Sequence, residues 1–152
     1  MRGRWCLIQS RNEGNRDFKT MTKSRRNPYP TRAQVRQLLT HAPRIVALEI
    51  LVINAGSDAM PAYADWWLAF IDVAIEDHFM DWDYEPERAR VLLNDRERLA
   101  KTSFEEWSSA FTLFIRAERF CDGYWGGAPE TGEAAALMMR LEQLERNWDD
   151  SA

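Results

Sequence analysis

Cysteine is scarce in this 152-residue sequence: Cys6 and Cys121 are its only two, far apart. That spacing offers neither a disulfide framework nor a CxxC metal site, and it fits a reducing compartment. Histidine is equally scarce. His41 and His78 lie on separate segments, which excludes a multi-histidine metal centre. No glycine-rich phosphate loop, nucleophile elbow or HExxH motif occurs. Seven Gly and six Pro exclude a collagen-like chain. Long apolar runs are missing too. The longest, Ile45 to Ile53, is broken by Glu49, whereas a membrane span needs about 20 residues. The N-terminal apolar stretch, Trp5 to Ile8, falls short of the roughly 7–15 residues of a secretory signal. The expected location is therefore the cytoplasm, without membrane, metal or cofactor.

What is present is a core-forming composition, 45% hydrophobic and 12% aromatic, with seven Trp and seven Phe. It is enough for one globular domain. The net charge of −4 conceals a division. Residues 1–46 carry 11 Lys/Arg against 2 Asp/Glu, a balance of +9; residues 47–152 carry 9 against 22, a balance of −13. Residues 1–30 have no hydrophobic period and end in Asn27-Pro28-Tyr29-Pro30. They cannot bury enough apolar surface to offset ordering entropy, so a disordered basic arm is expected there, with a helical domain over 31–148. Met21 is a second candidate start, which would place residues 1–20 outside the natural protein.

From Thr31 the pattern turns helical. Thr31 with Gln34 three residues on forms a capping-box pattern, and Val35, Leu38, Leu39 and Ala42 recur at helical spacing. Pro43 suits a helix's first turn. Ile45 to Ile53 reads as a central helix, since no second strand is evident for it to pair with. A helix from Pro61 would turn Ala64, Trp67, Leu68, Ile71, Ile75 and Phe79 inward. A short helix follows from Pro86 to Leu93. Ser103 and Glu106 cap a strong helix with the stripe Phe104, Trp107, Phe111, Phe114 and Ile115, stopped by Gly123. A last helix spans Thr131 to Arg146. The fold class is all-α: a single compact bundle of five to six helices.

Two polar clusters break this pattern. Glu118 lies seven positions after Phe111, within about 20° of the same helical line, and so continues an apolar stripe. A carboxylate there is costly unless paired. The expected partner is an arginine, Arg140 or one from elsewhere, with Arg119 on the flank and Arg116 nearer solvent. The alternatives are an ion pair that fixes helix register and a site in which Glu118 is a base and Arg119 holds an anion. Glu49 invites the same two readings. The second cluster is Glu76-Asp77-His78-Phe79-Met80-Asp81-Trp82-Asp83. Carboxylates at a helix C-terminus oppose its dipole. Arg88, Arg90 or Arg116 are preferred over a divalent cation as the compensation. Cys121, just past a helix end and beside Asp122, is poorly placed for a nucleophile.

The segment Arg116-x-Glu118-Arg119-Phe120-x-x-Gly123 resembles a box found in a family of small bacterial and phage proteins classed as a domain of unknown function. Pro61-x-Tyr63, Phe70 and Phe79-x-Asp81-Trp82 resemble that family's middle region, and Gly132, Leu137 and Arg140-Leu141 its closing helix. The likeness covers about residues 34–145. The breakers from Gly126 to Pro129 depart from it. The resemblance implies a small, mostly helical cytoplasmic protein and transfers no catalytic residue.

Without a catalytic constellation, the leading expectation is a non-enzymatic binding or regulatory module. A protein partner or a second copy would meet the surface near Tyr63, Trp66, Tyr124 and Trp125. A second expectation is nucleic-acid association through Arg2, Arg4, Arg11, Arg16, Lys19, Lys23, Arg25 and Arg26. A third is an enzyme using Glu118 and Arg119 in a cleft beside Trp125.

Overall fold

A computed structural model describes residues 28–53 and 61–149. The described residues are mostly helical, in eight α-helices: α1 (Arg32–Leu39), α2 (Ala42–Val46), α3 (Asp65–Ala74), α4 (Pro86–Asn94), α5 (Arg96–Leu99), α6 (Phe104–Phe120), α7 (Ala128–Thr131) and α8 (Glu133–Arg146). A 3-10 turn, Trp125–Gly127, precedes α7.

The two capping boxes form as the sequence implies. The Thr31 hydroxyl accepts from the Gln34 amide, and the Thr31 amide donates back to the Gln34 side chain at 2.8 Å. Ser103 and Glu106 do the same at the start of α6. Each box satisfies two donors that have no partner within the helix. Helix α6 buries Phe104, Trp107, Ala110, Phe111, Leu113, Phe114 and Ile115 and leaves Glu105, Arg119 and Phe120 exposed. So wide an apolar face puts this helix at the centre of the core. Trp107 stacks on Phe111 at 4.5 Å, and its indole N–H donates to the Leu137 carbonyl at 2.8 Å, fastening α6 to α8. Helix α4 packs along α6, while α1 and α2 cover α8.

Three expectations are corrected. Ile45 to Ile53 is not one helix. Helix α2 ends at Val46, Leu48 takes the left-handed φ of 57°, and the chain then runs extended. It does have a pairing partner: Val52 bridges Tyr63, with Ile53 N–H donating to Ala62 O and Ala64 N–H to Leu51 O, both at 2.7 Å. The β-branched residues of this stretch favour that state. Secondly, α3 begins four residues after Pro61 and ends at Ala74. It buries Trp67, Phe70, Ile71 and Ala74 and leaves Leu68 and Ile75 exposed. Thirdly, the last helix starts at Glu133 rather than Thr131: Gly132, with a φ of 69°, separates it from the short α7, which the sequence did not announce. Helix α5 was not anticipated; Asp95 caps it by accepting from the Glu97 and Arg98 amides.

The expected disorder of residues 1–30 falls, for 1–27, outside the described residues. Pro28 to Pro30 are described: Pro30 is buried, the Tyr29 ring lies 5.8 Å from Phe104, and its hydroxyl donates to Glu105. No helix among the described residues is long and apolar enough to cross a membrane.

Candidate functional site: a carboxylate knot at the end of α6

Glu118 sits in the last turn of α6, half-buried, and turns inward as its position on the stripe requires. Its partners are not arginines. Oε1 accepts from the Tyr63 hydroxyl and from the Gly123 N–H at 3.0 Å; Oε2 accepts from the Trp125 N–H at 2.9 Å. Arg140 is occupied elsewhere, donating from Nε (3.0 Å) and Nη2 (2.5 Å) to the Thr102 carbonyl and from Nη1 to Gln143. The expected Glu118–Arg140 pair is thus replaced by a phenol and two backbone amides. These amides belong to the turn that immediately follows α6, so they reach the carboxylate more directly than a long side chain. They also offset the unfavourable position of a negative charge at a helix C-terminus.

The knot gathers four segments. The turn after α6 reverses at Gly123, where φ is 85°, a conformation that L side chains rarely adopt. The Val52–Tyr63 bridge lies against the 3-10 turn: a Cβ on Gly126 would stand 2.9 Å from Val52 Cγ2. The Trp125 ring packs 5.5 Å from Tyr63 and 6.0 Å from Trp67, and its indole N–H donates to the Phe114 carbonyl at 3.4 Å. Burial, then the bond to Glu118, pushes the Tyr63 phenol well above the usual tyrosine range. A matching pair lies alongside. The Tyr124 hydroxyl donates to Glu133 at 2.6 Å. Burial raises the Tyr124 phenol, with Glu133 adding to it, and burial also raises the Glu133 carboxyl, partly offset by Tyr124 and Arg96.

Of the seven residues singled out from sequence, Glu118, Tyr63 and Trp125 meet directly. Tyr124 flanks them, its ring 5.9 Å from Phe114. Trp66 lies on α3, half-buried beneath the Arg44 guanidinium at 5.7 Å. Arg119 is exposed. Arg116 leans over the Tyr84 ring at 5.6 Å, its Nε buried without a hydrogen-bond partner. Glu49 is exposed and stands 3.8 Å from Arg44, which overturns its inward reading. The eight basic arm residues, Arg2 to Arg26, lie outside the described residues. Gly126 was the contributor that sequence missed; its place in a breaker run gave no sign of the close approach to Val52.

The acidic segment after α3 is also served differently from the expectation. Arg88 pairs with Glu106 and Arg90 with Glu87, both at 3.0 Å. Asp81 instead accepts from the Ser109 hydroxyl at 2.6 Å and from the Asp83 amide, while its own amide donates to the Thr112 hydroxyl. The Trp82 indole donates to Asp77 at 3.1 Å. Among the described residues no group of three metal-ligating side chains assembles. Cys121 is disulfide-bonded, contrary to the reading of the two cysteines as offering no framework, and so presents no nucleophilic thiol.

Chemically, the knot is a carboxylate whose two oxygens are both engaged, set among rings that are half-exposed. No curated protein and no solved structure matches the chain. Residues 56–147, which include Glu118 and its three partners, match the Family of unknown function (DUF6508). That match covers more than half of the sequence, and the chain belongs to this family.

Proposed function

We propose that the protein is a non-enzymatic binding or regulatory module, meeting a protein partner or a second copy of itself through the aromatic surface around Tyr63, Trp66, Tyr124 and Trp125. The observation that carries this reading is the combination of a fixed turn with apolar side chains left in solvent beside it. Ile50 is 79% exposed and Ile53 69% exposed, on the segment that bridges Tyr63. Two isoleucines on an extended stretch next to half-exposed aromatic rings make the kind of patch that partners cover. The knot holds the rings in place, so little ordering cost remains when a partner arrives.

An enzymatic reading is less favoured by the same geometry. A base at Glu118 would have to leave three hydrogen bonds to reach a substrate, and Arg119 points away into solvent from outside the knot.

The test compares the wild-type chain with the double variant I50D/I53D, each used as bait and each sedimented over a range of concentrations. A protein, or a second copy, retained by the wild type and lost by the variant is expected. If wild type and variant retain the same proteins and sediment alike, this surface is not the interface.

A further inference from the structure

The segment that bridges Tyr63 has one paired edge and one unpaired edge. On the paired side, Ala64 N–H donates to Leu51 O and Ile53 N–H to Ala62 O, both at 2.7 Å. In an antiparallel pair, alternate residues direct their N–H and C=O groups to opposite edges. Those of Ile50 and Val52 therefore point away from Ala62 and Ala64, and among the described residues no hydrogen bond reaches them. Buried backbone groups are almost always paired, so an unpaired row of this kind faces water.

The side chains agree. Leu51 is buried in the core, while Ile50 and Ile53 are exposed, and exposed Val46 and Leu48 extend the apolar area towards α2. The segment is held extended from behind, because Val52 lies against Gly126 and Tyr63 is fixed by Glu118. Little ordering cost remains for a strand that docks on it. Proteins usually guard an open edge with Lys, Pro or a bulge. The run Ile50-Leu51-Val52-Ile53 has no charge, no Pro and no Gly, and its β-branched residues suit a strand.

We infer that this edge pairs with the same edge of a second copy, making a two-fold antiparallel dimer through residues 50–52. The inference rests on the partner surface proposed above and names its occupant. Two-fold symmetry requires the same patch on both copies, and this patch is self-complementary. Leu51 faces the partner's Leu51 across the axis. Ile50 exchanges N–H and C=O bonds with the partner's Val52, and Val52 with the partner's Ile50, so every free group of the row is used. Two short strand pairs, each marginal alone, become one continuous sheet. Charge permits the approach here and opposes it elsewhere. The body is acidic, with 9 Lys/Arg against 22 Asp/Glu in residues 47–152, and repels a second copy. The nearest charge to the uncharged run is Glu49. In this register the two copies' Glu49 residues stand about 14 Å apart along the strand direction, beyond the screening length of about 8 Å in physiological salt. Each Glu49 also keeps its own Arg44 at 3.8 Å.

The experiment uses the full chain, dilute and concentrated. Sedimentation reads the mass, and residue-resolved amide hydrogen exchange reads the edge. A monomer–dimer equilibrium is expected, with the Ile50 and Val52 amides exchanging several-fold more slowly in the dimer and the Gly123 and Trp125 amides unchanged. Mixing isotope-labelled with unlabelled chains should show the two Leu51 Hα protons in contact across the axis. Ile50→Pro keeps an apolar residue but removes an edge N–H from each copy, and should weaken the dimer about tenfold or more; Ile50→Val keeps the N–H and should dimerise as the wild type does. The exchange measurement on the wild type stands even if the proline variant fails to fold. A chain that stays monomeric when concentrated, or a dimer whose Ile50 and Val52 amides exchange as in the monomer, overturns the strand pairing. A foreign protein retained through Ile50 and Ile53 by a chain that stays monomeric would remove the second copy and leave the surface reading standing. A dimer untouched by I50D/I53D would remove both.

Discussion

Glu118 sits where a carboxylate is hardest to keep: near a helix C-terminus and on the line of an apolar stripe. Three donors hold it there, from Tyr63, Gly123 and Trp125. Hydrogen bonds to a charged group are each worth about 1.5–3 kcal/mol, and leaving buried donors unmatched costs a similar amount. Glu118→Ala should therefore destabilise the fold by about 3 kcal/mol in chemical denaturation. Tyr63→Phe removes one donor to the carboxylate and should cost about 1.5 kcal/mol, the low end of that range for a half-exposed pair. The two changes share one bond, so their effects should be less than additive in a double-mutant cycle; strict additivity would mean the phenol and carboxylate do not meet. Gly126 is constrained by space rather than by conformation, because its Cβ would stand 2.9 Å from Val52 Cγ2. Gly126→Ala should lower stability by about 1–3 kcal/mol, and Val52→Ala should relieve it; an unchanged denaturation midpoint for Gly126→Ala would show that the turn yields freely. At this scale sequence revealed the direction of Glu118 but not its partners. The direction follows from helical periodicity alone. Two of the partners are backbone amides, which carry no residue-type signature, and the third, Tyr63, lies far upstream.

Helices α1 and α8 are joined by charge at one point. Arg32 and Arg36 both donate to Glu145 from Nε, at 2.8 and 2.7 Å. Those two guanidinium groups, Arg32 first, hold the Glu145 carboxyl below its usual range. A carboxylate whose folded-state value is depressed stabilises the fold above its unfolded value, and that contribution is lost as pH falls through the folded value. Glu145→Gln should accordingly be less stable than wild type at neutral pH, and the two stability curves should converge in acid below the ordinary glutamate range. Parallel curves across that window would place the pair's effect elsewhere. The elements themselves were legible where their signals are local. Thr31 and Ser103 announce α1 and α6 because a capping box needs only four consecutive residues. Ile45 to Ile53 misleads because its state depends on Ala62 to Ala64, which supply the opposing carbonyl and amide from nine or more positions further along the sequence. A run apolar on both faces suits helix and strand alike, and only tertiary pairing separates them.

For the molecule as a whole, an aromatic core around α6 stabilises the fold, while its surface divides into an apolar patch and an acidic edge. Ile50 and Ile53 add little to the core because they stay in solvent. I50D/I53D should therefore leave the denaturation midpoint within about 0.5 kcal/mol of wild type while abolishing partner retention. A large loss of stability would mean that the two isoleucines serve the fold instead. The all-α class was readable from periodicity and composition, since both are summed over long windows. The surface was not, because exposure of Ile50 and Ile53 follows from where α2 stops, and Leu48 alone in the sequence gives no sign of its left-handed turn.

Amide hydrogen exchange at Gly123 and Trp125, compared between wild type and Glu118→Gln under conditions where both are folded, tests the knot most directly. Both amides should be protected in the wild type, and the Trp125 amide should exchange many-fold faster in the variant, with the core of α6 unchanged. Equal exchange at both positions in the two proteins would mean that the carboxylate does not hold the turn.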